Sequence, residues 1–81
     1  MWYVYIIYSS KIDRYYVGIT ENLNLRTERH NLGWGRYTKR GIPWVMVYSE
    51  KYHTKANALK RENEIKMHKN RIYIERLIKN R

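Results

Sequence analysis

The chain opens on a nearly continuous run of large apolar and aromatic residues that suits a pleated strand. Residues 2–9, Trp-Tyr-Val-Tyr-Ile-Ile-Tyr-Ser, are rich in β-branched and aromatic side chains and predict a first strand. Its period of two puts Tyr3, Tyr5 and Ile7 on one face and Val4, Ile6 and Tyr8 on the other. A polar turn follows at residues 10–13. Residues 15–20 then predict a second strand, with Tyr16 and Gly18 on one face and Tyr15, Val17 and Ile19 on the opposite one. So short a connection makes the two strands an antiparallel hairpin.

The pattern then changes to a helical one. Asn22 is a suitable N-cap for a helix running to about Leu32 and stopped by Gly33. Leu25 and Leu32, seven apart, are expected to form its buried stripe, and Arg26 and His30, four apart, share another face. Residues 33–41 read as a basic loop containing Trp34 and Tyr37. Pro43 precedes a third strand from Trp44 to about Glu50, at a place where its missing N–H is tolerated. Thr54 can cap a helix over about residues 55–68, with Ala58, Leu59 and Ile65 on its inner side and Glu62 on or near that face. Asn70 can start a last short helix that packs inward through Tyr73, Ile74, Leu77 and Ile78. The order β-β-α-β-α-α predicts an α/β fold, a small three-stranded and mainly antiparallel sheet covered by helices. No repeat, linker or low-complexity tract divides the chain, so residues 1–81 are expected to form a single domain.

Composition narrows the function. An 81-residue domain buries little more than about 60% of its unfolded surface, which leaves few apolar residues to line a deep pocket. The absence of cysteine removes disulfides, thiolate nucleophiles and cysteine zinc sites together. With strand-like sequence directly after Met1 and no apolar run near the ~20 residues of a membrane span, a cytoplasmic location without membrane contact is expected. Seventeen Lys and Arg against seven Asp and Glu leave a net charge of +10, and a field of that sign favours polyanions, nucleic acid above all.

Several chemistries are disfavoured by what is missing. The seven acids, Asp13, Glu21, Glu28, Glu50, Glu62, Glu64 and Glu75, fall mostly in turns or on polar helix faces. That argues against a two-metal centre or a paired-carboxylate glycosidase. The Gly-Trp-Gly at 33–35 lacks the lysine and helix of a phosphate loop, and no G-x-S-x-G is present. His53 and His68 are isolated and do not make a zinc site. A single-carboxylate chemistry remains, in which Mg²⁺ takes one or two carboxylates and completes its shell with water and phosphate. Position alone leaves two readings of Glu62 open: a metal ligand, or an ion pair with Lys66 four residues on.

Taken in order, several short segments resemble the GIY-YIG nuclease superfamily, particularly its compact bacterial members and the N-terminal cutting module of the bacterial excision-repair nuclease. Tyr3-Val4-Tyr5 stands at the first motif and Tyr16-Val17-Gly18 at the second. Residues 22–31 resemble the family's arginine helix, Tyr37-Thr38 lies in a basic loop, and Ala58-Leu59-Lys60-Arg61-Glu62 is similar to the segment ending in the metal-binding glutamate. The similarity spans about residues 2–78. Two departures stand out: Tyr3 occupies the position named for glycine, and Ile19 the place where some relatives carry a lysine.

The resemblance implies a GIY-YIG fold and a metal-dependent endonuclease acting on DNA, ahead of RNA, with structured or damaged DNA as candidate substrates. It implies catalytic roles for Tyr5, Tyr16, Arg26, His30 and Glu62. Tyr16 would take the proton of the attacking water, Arg26 would hold the phosphate, and His30 would orient water or share the proton work. Glu62 would hold one Mg²⁺ or Mn²⁺. Nucleic-acid contacts are expected from Arg26, from Tyr37, Lys39 and Arg40 in the basic loop, and from Lys60, Arg61 and Lys66 on the following helix. The alternative is a non-catalytic basic nucleic-acid-binding module on the same scaffold. Residues 55–81 hold nine Lys and Arg against three Glu, a net of +6, which binds phosphates without any catalysis. A third reading adds a protein partner for targeting, and a monomer or weak dimer is expected.

Overall fold

A computed structural model describes residues 1–68 and 70–80. The hairpin forms as the sequence predicts: strand β1 is Trp2–Ser9 and strand β2 is Arg14–Thr20. Asp13 closes the turn at φ 52°, a left-handed conformation that aspartate tolerates better than most residues. Helix α1, Leu23–Asn31, starts at Asn22, whose side chain accepts a hydrogen bond from Leu25 N–H. It ends before Gly33, which takes φ 85° where a side chain would be strained. A 3-10 turn, Thr38–Gly41, interrupts the basic loop and has no forerunner in the hydrophobic pattern. Strand β3 is Val45–Tyr52, shifted by one residue at its start and extended by two at its end. Helix α2, Lys55–His68, begins where Thr54 Oγ1 accepts from Asn57 N–H, and α3, Arg71–Lys79, begins at the Asn70 cap.

The sheet order is β2-β1-β3 with both pairings antiparallel, so β1 is central. This explains why Val4 to Ile7 are buried without alternation: both faces of β1 are covered. Val4, Ile6 and Val17 meet Ala58 and Ile65 of α2, with Tyr73, Ile74 and Leu77 of α3 behind them. On the opposite face Tyr5 and Ile7 pack with Trp44, Tyr16, Leu23, Ile42 and Met46. No helix among the described residues is long and apolar enough to cross a membrane.

Two expected core stripes are corrected. In α1, Leu25 and Leu32 are 41% and 65% exposed. The inward face is instead Leu23, Arg26, Thr27 and His30, spaced at i, i+3, i+4 and i+7, with His30 buried. The hydrogen bonds of Arg26 and His30, together with the packing of Leu23, orient this helix. In α2, Leu59 is 38% exposed, and Ala58 and Ile65 alone are buried.

These placements predict a contrast in stability. Ile65→Ala empties a filled position and is expected to cost about 2–5 kcal/mol. Leu25→Ala and Leu59→Ala are expected to cost less than about 1 kcal/mol, because little area is lost. Urea unfolding of the three variants checks this, and a loss at Leu25 equal to that at Ile65 would overturn the orientation of α1.

Candidate active site

The site grows from the buried face of the hairpin. Tyr5 is fully buried on β1, opposite Gly18 in the β2 register, and Tyr16 lies diagonally across from it, paired with Ile7. Gly18 is where the tyrosine ring crosses β2: a Cβ there would stand 2.6 Å from the Tyr5 hydroxyl oxygen. Helix α1 supplies the partners. Arg26 Nε–H donates to the Tyr5 hydroxyl at 3.3 Å, and His30 Nε2 lies 2.8 Å from the same oxygen. His30 Nδ1 is 2.7 Å from Thr38 Oγ1, which the 3-10 turn brings in from the loop.

The protons follow from these contacts. Burial pushes the Tyr5 hydroxyl above its ordinary pKa, the Arg26 guanidinium opposes that, and the charges of Tyr16 and Glu62 add to the rise. Tyr5 is therefore a neutral phenol near pH 7. Having accepted from Arg26, it has one proton to give, and His30 Nε2 is the acceptor within reach. His30 then carries its own proton on Nδ1 and donates it to Thr38, an assignment made from the network. Burial first, and then the Arg26 charge, depress the His30 pKa, which keeps the ring neutral. Arg26 is correspondingly held charged by its bond to Tyr5.

Tyr16 is half-buried, with His30 edge-on at 5.2 Å, Trp44 edge-on at 6.4 Å and Tyr37 stacked at 6.1 Å. Unlike Tyr5, its hydroxyl makes no hydrogen bond to the described residues. Its ring is fixed while its oxygen stays available. Trp44 is itself pinned: its indole N–H donates to Thr38 O, and its backbone N–H donates to Asn31 Oδ1 at 2.6 Å.

Glu62 sits on α2 with its side chain 13% exposed and one carboxylate oxygen 3.3 Å from Lys66 Nζ. Both sequence-level readings thus persist, because the ion pair forms and the charge also acts on Tyr5. Its other oxygen has no partner among the described residues. Also among them, no three His, Cys, Asp or Glu side chains gather into a metal-binding group. One half-buried carboxylate fits an ion that takes its remaining ligands from water and phosphate.

The nucleic-acid candidates divide. Tyr37, Lys39, Arg40 and Lys60 are exposed, and Lys66 is committed to Glu62. Arg61 is consumed internally. Its side chain is 18% exposed, bound to Glu50 at 2.9 Å, to Glu64, and to the Tyr73 hydroxyl at 3.1 Å. The structure also adds Thr38 and Trp44, to which the sequence reading gave no role. Neither has a spacing signal, since each reaches the site across an irregular loop.

The chain is similar to known proteins. A family model described as the GIY-YIG catalytic domain matches residues 1–77. UPF0213 proteins of Staphylococcus aureus strains Mu50 and COL are each 45% identical over 80 residues, covering 98% of this chain and 95% of theirs. The solution NMR structure of a UPF0213 protein from Bacillus halodurans aligns with a TM-score of 0.62 at 30% identity, covering 100% of this chain and 86% of that one.

Two expectations test the buried network. Gly18→Ala forces Tyr5 away from His30 and Arg26 and is expected to destabilise by about 1–3 kcal/mol. Chemical denaturation measures the loss, and an unchanged midpoint would mean that the tyrosine does not cross β2 so closely. For His30, the folded pKa lies below the ordinary 6.5, so the unfolded chain takes up its proton first. Stability should therefore fall as pH drops from 6.5 towards the depressed folded value, and level off for this group below that. Denaturation midpoints across this window should show the slope in the wild type and a shallower one in His30→Gln; parallel slopes would contradict a neutral buried ring.

Proposed function

The chain belongs to the GIY-YIG catalytic-domain family, a nuclease superfamily, and from that premise we propose that it is a metal-dependent endonuclease hydrolysing phosphodiester bonds in DNA. One observation carries the reading. A fixed tyrosine ring with an unbonded hydroxyl, Tyr16, packs edge-on against His30, and the Tyr5 hydroxyl that His30 contacts also holds Arg26, an arginine that no carboxylate neutralises among the described residues. A binding module would use the arginine but has no need of a fixed, unbonded phenol as well, whereas hydrolysis can use both.

In the proposed reaction, Arg26 holds the scissile phosphate through its terminal nitrogens. It stabilises the charge that grows on the phosphate oxygens as water attacks. Tyr16 serves as the base: its hydroxyl releases its own proton to solvent and takes one from that water. The water oxygen bonds to phosphorus, the bond from phosphorus to the leaving oxygen breaks, the leaving oxygen takes a proton from solvent, and a cut strand results. Tyr5 and His30 touch no substrate in this scheme. With both ring nitrogens engaged, His30 positions Tyr5, and Tyr5 positions Arg26. Glu62 would hold one Mg²⁺ or Mn²⁺, which would supply Lewis-acid polarisation of the phosphate and steady the leaving oxygen. Target choice rests on the exposed cations or on a partner protein, within one domain spanning residues 1–81.

The second reading, a non-catalytic DNA-binding module, is favoured by the Glu62–Lys66 ion pair, which gives the glutamate a structural occupation. The two separate in one experiment. Labelled single-stranded, duplex and branched DNA, with a matched RNA, is incubated with the protein in Mg²⁺ or Mn²⁺ and then in EDTA. Cleavage is expected with metal, lost in EDTA, and reduced about 10²–10⁴-fold in Tyr16→Phe, Arg26→Ala and Glu62→Ala. Tyr16→Phe should still bind. Binding without cleavage, unchanged or strengthened in Glu62→Ala, would sink the enzyme reading.

A further inference from the structure

On the Tyr16 side, the site adjoins a cleft that the proposed reaction leaves unused. Ile12, Arg14, Tyr37 and Arg40 line it, and its volume is about 360 Å³, within the roughly 300–1,000 Å³ usual for small-molecule sites. Arg14 comes from the start of β2, and Arg40 from the 3-10 turn. Both are exposed, and neither makes an ion pair among the described residues. Asp13, next to Arg14 in the chain, is already taken by Arg71 at 2.6 Å and by the Tyr8 hydroxyl at 2.6 Å. Tyr37 is stacked on Tyr16 with ring planes 27° apart, yet remains 49% exposed. Two guanidinium groups without counter-ions thus flank an aromatic ring that has open surface and touches the proposed base.

We propose that this cleft holds an unpaired nucleotide next to the scissile phosphate, with its base on Tyr37 and its phosphate contacted by Arg14 and Arg40. The substrate class is then nucleic acid with a single-stranded segment beside the cut. This rests on the reading of Tyr16 as the reaction centre. A base inside a duplex is stacked on both sides and has no face to offer Tyr37, whereas an unpaired base has one. Guanidinium forks match phosphate oxygens, and two of them favour an anion over a neutral ligand. The Tyr16 and Tyr37 rings are stacked with centres 6.1 Å apart, so a base on Tyr37 lies next to a phosphate at Tyr16. Ring stacking accepts any base, so the cleft selects strand state and not sequence.

The test is fluorescence anisotropy on the full chain in EDTA, where no strand is cut. The probes are a labelled blunt duplex and the same duplex carrying a single-stranded tail. The tail is expected to raise affinity about tenfold, in line with one stacked base. Tyr37→Ala should abolish the difference between tailed and blunt duplex, and Tyr37→Phe, which keeps the ring, should retain it. Arg14→Ala and Arg40→Ala should each weaken tailed-duplex binding and lower its salt slope by about one. The proposal is overturned if the tail adds nothing, if Tyr37→Ala keeps the preference, or if it weakens both probes alike. Because binding is read without metal, failure of the nuclease reading shows separately, as uncut substrate in the cleavage assay.

Discussion

The Tyr5 hydroxyl is the constraint around which this protein is organised. It is a polar group on the central strand with no access to water, and an unpartnered buried hydroxyl costs on the order of 1–3 kcal/mol. Its satisfaction dictates much of the surrounding structure. Gly18 must lack a side chain so that the ring can lie across β2, and α1 must turn Arg26 and His30 inward at the expense of its leucines. His30 in turn needs Thr38, so the loop after α1 must fold back over the sheet. Trp44 and Asn31 hold that loop in place through the Thr38 carbonyl and the Trp44 backbone. A segment with little regular structure is thereby ordered through side-chain bonds to a strand residue far away in sequence.

The charge divides along similar lines. Part of the excess of cations is structural. Arg61 ties Glu50 on β3 to Tyr73 on α3, and the same carboxylate accepts from Tyr48 and Tyr52, whose hydroxyls burial and that bond push up to about 12. Arg71 clamps the hairpin turn to α3. Its bond, followed by that of Tyr8, holds the Asp13 carboxyl down at about 2. Arg26, which bonds Tyr5, and Arg14 and Arg40, which line the cleft at Tyr37, make no ion pair among the described residues. The attraction that net charge exerts on a polyanion therefore acts at the site as well as on the outer helix faces.

The sequence carried the elements well because their signals are local. β-Branched and aromatic residues marked β1, Asn22, Thr54 and Asn70 marked helix starts, and Gly33 marked a stop. It misjudged which side of α1 faces inward, since hydrophobic spacing assumes that burial is apolar. Here the spacing of Leu25 and Leu32 was outweighed by hydrogen bonds that only the tertiary structure supplies. The pairing of Arg26 with His30 on one face was legible from their four-residue spacing, and so was the shared face of Tyr5 and Tyr16. Thr38, Trp44 and the Arg14 side of the cleft were not, because their approach depends on a loop path that no periodicity encodes. Arg61 shows the reverse error: beside Lys60 and Glu62 it reads as one more exposed cation, and its partners Glu50 and Tyr73 lie on other elements.

The arrangement of Arg26 shows how a thin-cored protein can hold a reactive group still. Its Nε–H is bonded to a buried hydroxyl, which orients the guanidinium and leaves the two terminal nitrogens without partners among the described residues. In the proposed reaction those nitrogens meet the phosphate already oriented, so less side-chain freedom is lost on binding and the charge stands ready where it is needed. The anchor for that orientation is Tyr5, one of the largest fully buried side chains of the core. Support for the chemistry and support for the fold are therefore the same atoms. The consequence is a coupling: whatever loosens the Tyr5 hydroxyl loosens the arginine with it, before any group that touches substrate has been altered.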